Sequence, residues 1–387
     1  MRPFQIGTFR SGSGSGVDNE ILLGLADFAI ARGWILRADV MSVEVVAGKE
    51  PPPPVDVCVV PPLRGDALRW LAGHGKPTIA VAADAAPENI TLFSPDEQAV
   101  GQAAAQHLLD RGLQHFATFS LANAPFAVAR VAAFADAIRA AGANYVATGA
   151  RFLAPELPAQ PGTVLLTLAN IRRWIAELPK PIGVFVTCDN WAPLVLNQAI
   201  DVGCAVPDQL ALVGADNIEV FCQTSTPPLS SVMIPWRKMG SEIGQLIART
   251  VALGQPLPMQ RFVFPPAGVA VRQSSDVLAV SDPDVAAALS FIRRRALFPI
   301  NVADVLSKVP APRKRLEAGF RRYVGHGIMR EIRRLRVQEA QRLLALTDLS
   351  MADIAARTAF PSQHKLAVLF RRFSGLTPTE YRRRYRL

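Results

Sequence analysis

The amino-acid sequence predicts a two-lobed α/β region followed by an all-α region that carries two helix-turn-helix units. Three observations carry the prediction. The 387 residues exceed one ordinary core, since a compact domain takes roughly 100–200 residues. From residue 4 to about 215, short apolar runs alternate with helical patterns. The charge is segregated: of 42 Lys plus Arg and 32 Asp plus Glu, 22 and 9 lie from Asp282 onward, leaving 20 and 23 before it. The tail is therefore +13 and the rest −3. A positive field concentrated in one domain suits a polyanion.

In order, FQIGTF leads into a helix from Val17 to Arg32, WILRAD into the loop PPPP, and VDVCVV into a helical stretch over residues 65–73. PTIAVA precedes a helix from Pro95 to Arg111, and HFATFS one from Phe126 to Gly142. NYVATG follows, then IGVFVT before a helix from Trp191 to Val202, and LALVGA closes the series. Continuous apolar runs, each followed by a helix, mean parallel sheets covered on both faces. The region is long for one sheet, so two lobes enclosing a cleft are expected. RFVFPP and GVAVRQ are further strand-like segments, whereas SSDVLAVSDPD has no amphipathic period and reads as a linker. The expected division is 1–272, a linker at 273–281, and a helical domain at 282–387.

In the helical region Ser350 can cap a helix holding Ile354 and Ala355 inward, Ala359 to Pro361 form a turn, and Ser362 can cap a second helix. Leu366, Leu369, Phe370 and Phe373 give that second helix an apolar stripe at spacings of three and four. Thr377, Pro378 and Glu380 form a capping box that opens a terminal helix rich in arginine. A second unit lies upstream: VADVLSKV, the break PAP, then RKRLEAGFRRYVG with Leu316 and Phe320 inward. MREIRRLRVQEAQRLLAL connects the two as one amphipathic helix. An αα-hairpin with a solvated basic face explains one such unit; two on a +13 domain point to nucleic acid.

Half of the residues are apolar, which supports full folding. Cys58, Cys188, Cys204 and Cys222 lack CxxC spacing and read as reduced, buried thiols. The N-terminus lacks the apolar core of a signal peptide, and no stretch qualifies as a membrane span, so the expected location is the cytoplasm. The histidines show no metal-ligand spacing. Asp189 and Asp216 end apolar runs, at the carboxyl ends of parallel strands where α/β clefts collect ligands. Arg130 lies on the helix after HFATFS, and Asp18 in the first strand-to-helix connection. Carboxylates and a guanidinium around one cleft suit sugar hydroxyls, although each Asp alone could merely cap the next helix. The Gly/Ser loop 11–16 invites a nucleotide-dependent enzyme, but Val17 stands where GxGxxG needs its third glycine. A sugar-binding protein without DNA activity would not need the basic tail. No catalytic residue or cofactor is expected.

With these motifs on the page, residues 282–387 resemble the DNA-binding domain of the AraC/XylS family, through LEAGFRR, ALTDLSMADIA, AFPSQHKLAVLFRRFSG and GLTPTEYR. Ala359 stands where glycine is usual, Leu366 where an aromatic is usual, and Pro312 where serine is usual. The resemblance implies that Lys314 and Glu317, then Gln363, His364 and Ala367, face base edges, with Arg313 beside them; Lys suits guanine, Gln adenine, and Glu cytosine. Arg313, Lys314 and Arg315 are consecutive and cannot all read bases. Residues 1–272 are similar to the periplasmic-binding-protein-like sensor of LacI/GalR regulators, through RVAAF at Arg130, VTCDN, VPDQLALVGADN and PPLSSVMIPWRKMGSEIGQLI, with Cys188 where Asn is frequent. That resemblance implies a small sugar effector, a xylose-like pentose first, bound by Arg130 and the Asp positions. Together the two imply a transcription activator that binds double-stranded DNA, works as a homodimer, can engage RNA polymerase and has no membrane partner.

Overall fold

The apolar runs of the α/β region pair into two separate sheets. The computed structural model describes residues 3–8, 16–37, 54–60, 75–82, 90–121, 125–146, 151–153, 164–277 and 282–385. The helical stretch expected at 65–73 and most of the Gly/Ser loop lie outside them. In the first lobe β1 (Gln5–Thr8), β2 (Ile35–Arg37), β3 (Val57–Val60), β4 (Thr78–Val81), β5 (Thr91–Pro95) and β13 (Arg261–Phe264) form a parallel sheet ordered β13-β5-β4-β3-β1-β2. In the second, β6 (His115–Leu121), β7 (Asn144–Tyr145), β8 (Arg151–Leu153), β9 (Val164–Leu165), β10 (Ile182–Val186), β11 (Leu210–Ala215), β12 (Ser230–Val232) and β14 (Val269–Ala270) run β14-β12-β11-β10-β6-β8-β9, with β7 beside β6. Every residue of β10 and of β11 is buried, as continuous apolar runs in a covered parallel sheet require.

The chain passes between the lobes more than once. β13 returns to pair with β5 in the first lobe, and β14 goes back to pair antiparallel with β12 in the second. Helix Val17–Ile30 and helix Trp236–Arg249 pack backbone to backbone. A Cβ on Gly24 would lie 1.9 Å from the Arg237 carbonyl oxygen, and one on Gly240 2.1 Å from that of Ile21. This approach admits no side chain at either position.

Three sequence expectations are corrected. Pro95 ends β5, and the helix after it is Glu97–Leu109, capped by Asp96. Asp18 stands in the first turn of helix Val17–Ile30, not in the connection before it. The linker does not start at 273: the first compact unit runs to Val277, and Ser274 and Ser275 are fully buried. Small polar residues look like linker until their partners are seen. Ser274 Oγ donates to the Leu212 carbonyl (2.6 Å) and accepts from the Ser230 amide (2.9 Å). His107 Nε2 and Ser275 Oγ lie 2.7 Å apart, and the Arg111 guanidinium bonds the Ser275 carbonyl. Residues 278–281 lie outside the described set.

The second unit, Leu278–Leu387, is helical in its described residues: Pro283–Arg295, Val302–Leu306, Arg313–Tyr323, Ile328–Leu346, Met351–Arg357, Gln363–Ser374 and Pro378–Tyr385. It holds two cores strung on one helix. Ile328, Ile332 and Leu335 of the connecting helix join Leu316 and Phe320 in the first. Val337, Ala340, Leu343 and Leu344 join Ile354, Leu366 and Phe370 in the second.

Candidate ligand cleft and nucleic-acid interface

The carboxyl ends of β10 and β11 and the helix after β6, Pro125–Ala140, deliver three of the expected cleft residues to one cluster. Arg130 is buried, 2% exposed. Its Nε donates to Glu97 Oε2 (2.5 Å), and its Nη1 to the Thr187 carbonyl (2.6 Å) and to Asp216 Oδ1 (3.3 Å). Burial works against its charge, but Glu97 and Asp216 outweigh it and hold the guanidinium protonated. Nη2 makes no hydrogen bond among the described residues, which leaves one edge of the fork unused by them.

Asp216 and Asn217 both sit at positive φ, 105° and 54°. Such backbone costs about 1–3 kcal/mol per residue and gathers at ligand clamps. The turn is held from behind: the Asn217 amide donates to Ser231 Oγ (3.0 Å), and Arg272 Nη2 donates to Asn217 Oδ1 (2.9 Å). Asp189 is fully buried. Its carboxylate accepts from Ser231 Oγ (2.7 Å to Oδ1) and from the Ile218 amide (2.9 Å to Oδ2), so its oxygens are taken up by β12 and by the loop that carries Asp216. Asp18, half-buried, comes from the other lobe. Gly16, two residues before it, approaches so closely that a Cβ there would meet Ile218 Cγ2 at 2.6 Å.

Burial pushes Asp189 up to about 8, with Asp216 adding to the rise. Burial likewise lifts Asp216 to about 7 against the pull of Arg130. The unfolded chain sheds these protons near pH 4 while the native cleft keeps them to near neutrality, so stability falls as pH rises between those limits. Burial pushes His107 down from 6.5 to about 3, which costs stability as pH falls below 6.5. The clean window is therefore pH 6.5–8. There the melting temperature of the α/β unit should climb as pH is lowered, measured by calorimetry on the full chain. A flat profile would show that the two carboxyls are ionised throughout.

Sequence reasoning missed Glu97, Ser231 and Trp236. Glu97 was findable by the same strand-end rule, had β5 been recognised. Trp236, 4% exposed, lies close enough to Asp216 for its indole N–H to help lower that carboxyl's pKa.

In the helical domain the expected caps are present. Ser350 accepts from the Asp353 amide (3.1 Å), Ser362 from the Lys365 amide (3.2 Å), and Thr377 and Glu380 cap each other. Ala359 adopts φ 52°, the left-handed conformation for which the family's usual glycine is suited. Arg313, Lys314, Gln363 and His364 are exposed at the starts of their helices, while Glu317 and Ala367 are half-buried. Arg315 pairs with Asp284 (3.0 Å) across to helix Pro283–Arg295. Arg313 pairs with Glu317 (2.9 Å), a surface contact worth about 0–1 kcal/mol that opens easily. Val368, outside that helix's apolar stripe, is 54% exposed beside Ala367.

A periplasmic binding protein-like domain matches residues 105–275, and a helix-turn-helix domain matches residues 307–384. The chain is 30% identical over 296 residues to the xylose operon regulatory protein of Escherichia coli K12, covering 76% of this chain and 74% of the relative. It is 28% identical over 314 residues to that of Haemophilus influenzae, covering 79% of each. A solved xylose-binding transcription activator, XylR, superimposes over 100% of both chains with a TM-score of 0.73 at 24% identity, a likeness of fold. The recognition helices and the buried Arg130 cluster thus sit in a chain that belongs to the family of xylose operon regulatory proteins, sugar-sensing and DNA-binding transcription regulators of the AraC type with a periplasmic-binding-protein-like sensor.

Proposed function

We propose that the effector is a xylose-like pentose held between the lobes. Arg130 Nη2 and the Asp216 carboxylate bind its hydroxyls, Asp18 approaches from the first lobe, and Asp189 acts through its hold on Ile218 and Ser231. The buried Arg130–Asp216 pair, with one guanidinium edge left over, carries this reading. The names of the Escherichia coli and Haemophilus influenzae relatives support xylose, and that of the solved neighbour supports activation. The sugar is bound and released without turnover, in the cytoplasm, by a homodimer that engages RNA polymerase when the operator is occupied. Titration calorimetry of the full chain with D-xylose tests it. Asp216→Asn should weaken binding about 5- to 150-fold, the 1–3 kcal/mol cost of an unpaired buried hydroxyl. Silence towards every pentose and hexose would remove the sugar.

The same reading has Lys314, Glu317, Gln363, His364 and Ala367 reading bases, flanked by Arg313. Gln363→Ala should change which sequences are preferred, since a bidentate base contact discriminates by about 1–3 kcal/mol. Arg383→Ala should weaken all sequences alike. A uniform loss from Gln363→Ala across a binding-site library would reassign the second recognition helix.

A further inference from the structure

Several arginines of the helical domain are occupied. Arg334 pairs with Glu331 and Arg342 with Glu339, each at 2.7 Å. Arg315 is tied to Asp284, and Arg336 is spent on the carbonyls of Ala296 and Phe298 at 2.7 and 2.8 Å. Arg330, Arg333 and Arg372 are not among them. All three are exposed, none has an ion-pair partner among the described residues, and they surround one cavity of about 140 Å³ floored by Leu369 and Phe373. That is far more space than the 10–15 Å³ or so that one water needs.

The placement follows from helical spacing. Residues 330 and 333 share one face of the connecting helix, and 369, 372 and 373 share one face of the second recognition helix. The cavity therefore lies between the part of the connecting helix that packs in the first core and a helix of the second core. Three like charges around one hollow repel each other, and an apolar floor strengthens their field by thinning the water. An anion reverses the sign of that energy, and guanidinium forks match phosphate oxygens in particular.

We propose that this cavity is a phosphate site: a backbone phosphate of the bound duplex, lying between the two major-groove segments read by the recognition helices, is gripped by Arg330, Arg333 and Arg372 together. It fixes the angle between the two helix-turn-helix units, and with it the spacing of the two base-reading segments. The inference rests on DNA binding by this domain. The affinity of the unaltered full chain for a duplex selected from a random-sequence pool is therefore measured first, and failure there is failure of DNA binding, not of the cavity.

The test scans that duplex with neutral methylphosphonate linkages. One or two linkages between the base-reading segments should each weaken the unaltered chain about tenfold, the size of one charge-assisted contact. They should leave the variant with Arg330→Gln, Arg333→Gln and Arg372→Gln unaffected. That variant should lose affinity equally for all base sequences. Its salt slope should be shallower by about 0.9 per phosphate released. If the triple variant folds poorly, by circular dichroism, Arg372→Gln alone and the scan on the unaltered chain decide. The proposal is overturned if no linkage between the segments matters, or if the variant keeps the parent's salt slope. An unchanged slope joined to lost transcription on a reconstituted template would give the cavity to an acidic protein surface instead.

Discussion

Arg130→Met should destabilise the α/β unit by about 3–5 kcal/mol, the cost of breaking a buried ion pair from one side. Glu97 and Asp216 both depend on this guanidinium, and truncation leaves two carboxyls facing each other where water is excluded. Asp216 is already pushed up to about 7 by burial with its partner present, so the variant should take up a proton and become markedly less stable at pH 8 than at pH 6.5. Denaturant unfolding of the full chain at both pH values checks this. Combining Glu97→Gln, Arg130→Met and Asp216→Asn should recover most of the loss, because no buried charge is then left without its counterpart. A single variant as stable as the parent at both pH values would mean that water or local rearrangement reaches the cluster. Sugar binding should be lost in the single and the triple variant alike, which separates the arginine's structural work from its work on the ligand.

Phe370→Ala should cost about 3–5 kcal/mol as well, by leaving a cavity in a packed core. Here the damage should be local. Phe370 is fully buried in the second helical core and meets Tyr381 edge-on at 5.3 Å, whereas the first core is built around Leu316 and Phe320. Hydrogen exchange read by peptide should show lost protection across Met351–Arg357 and Gln363–Ser374, with Arg313–Tyr323 retained. Phe320→Ala should give the converse. Both cores opening together in each variant would show that the shared helix Ile328–Leu346 makes the domain one cooperative unit.

Much of this molecule was legible in its sequence, for identifiable reasons. β10 and β11 are uninterrupted apolar runs, and Ser350, Ser362 and the Thr377–Glu380 box are local capping signals, so both folds could be read from neighbours in the chain. The cleft was legible as far as Arg130, Asp189 and Asp216, because strand ends are places a pattern can mark. What lay hidden depends on partners distant in sequence. Glu97 meets Arg130 33 positions on, and Ser231 meets Asp189 42 positions back. Without those contacts Asp189 and Asp216 look equivalent, yet one braces the loop and the other carries the pair with Arg130. Ser274 and Ser275 misled for the same reason, since two serines in a polar stretch look like solvent-facing chain until their partners 44 and 168 residues away are known.

Those two serines also set the sensor's frame of reference. Their anchors are Leu212 on β11, Ser230 at the start of β12, and His107 and Arg111 at the end of helix Glu97–Leu109, a helix packed on Pro125–Ala140. All belong to the second lobe or ride on it, and the bonds to Leu212, Ser230 and His107 are buried. Mechanically, the last described residues of the sensor, up to Val277, are clamped to the second lobe, so any swing about the interlobe strands displaces the first lobe relative to them.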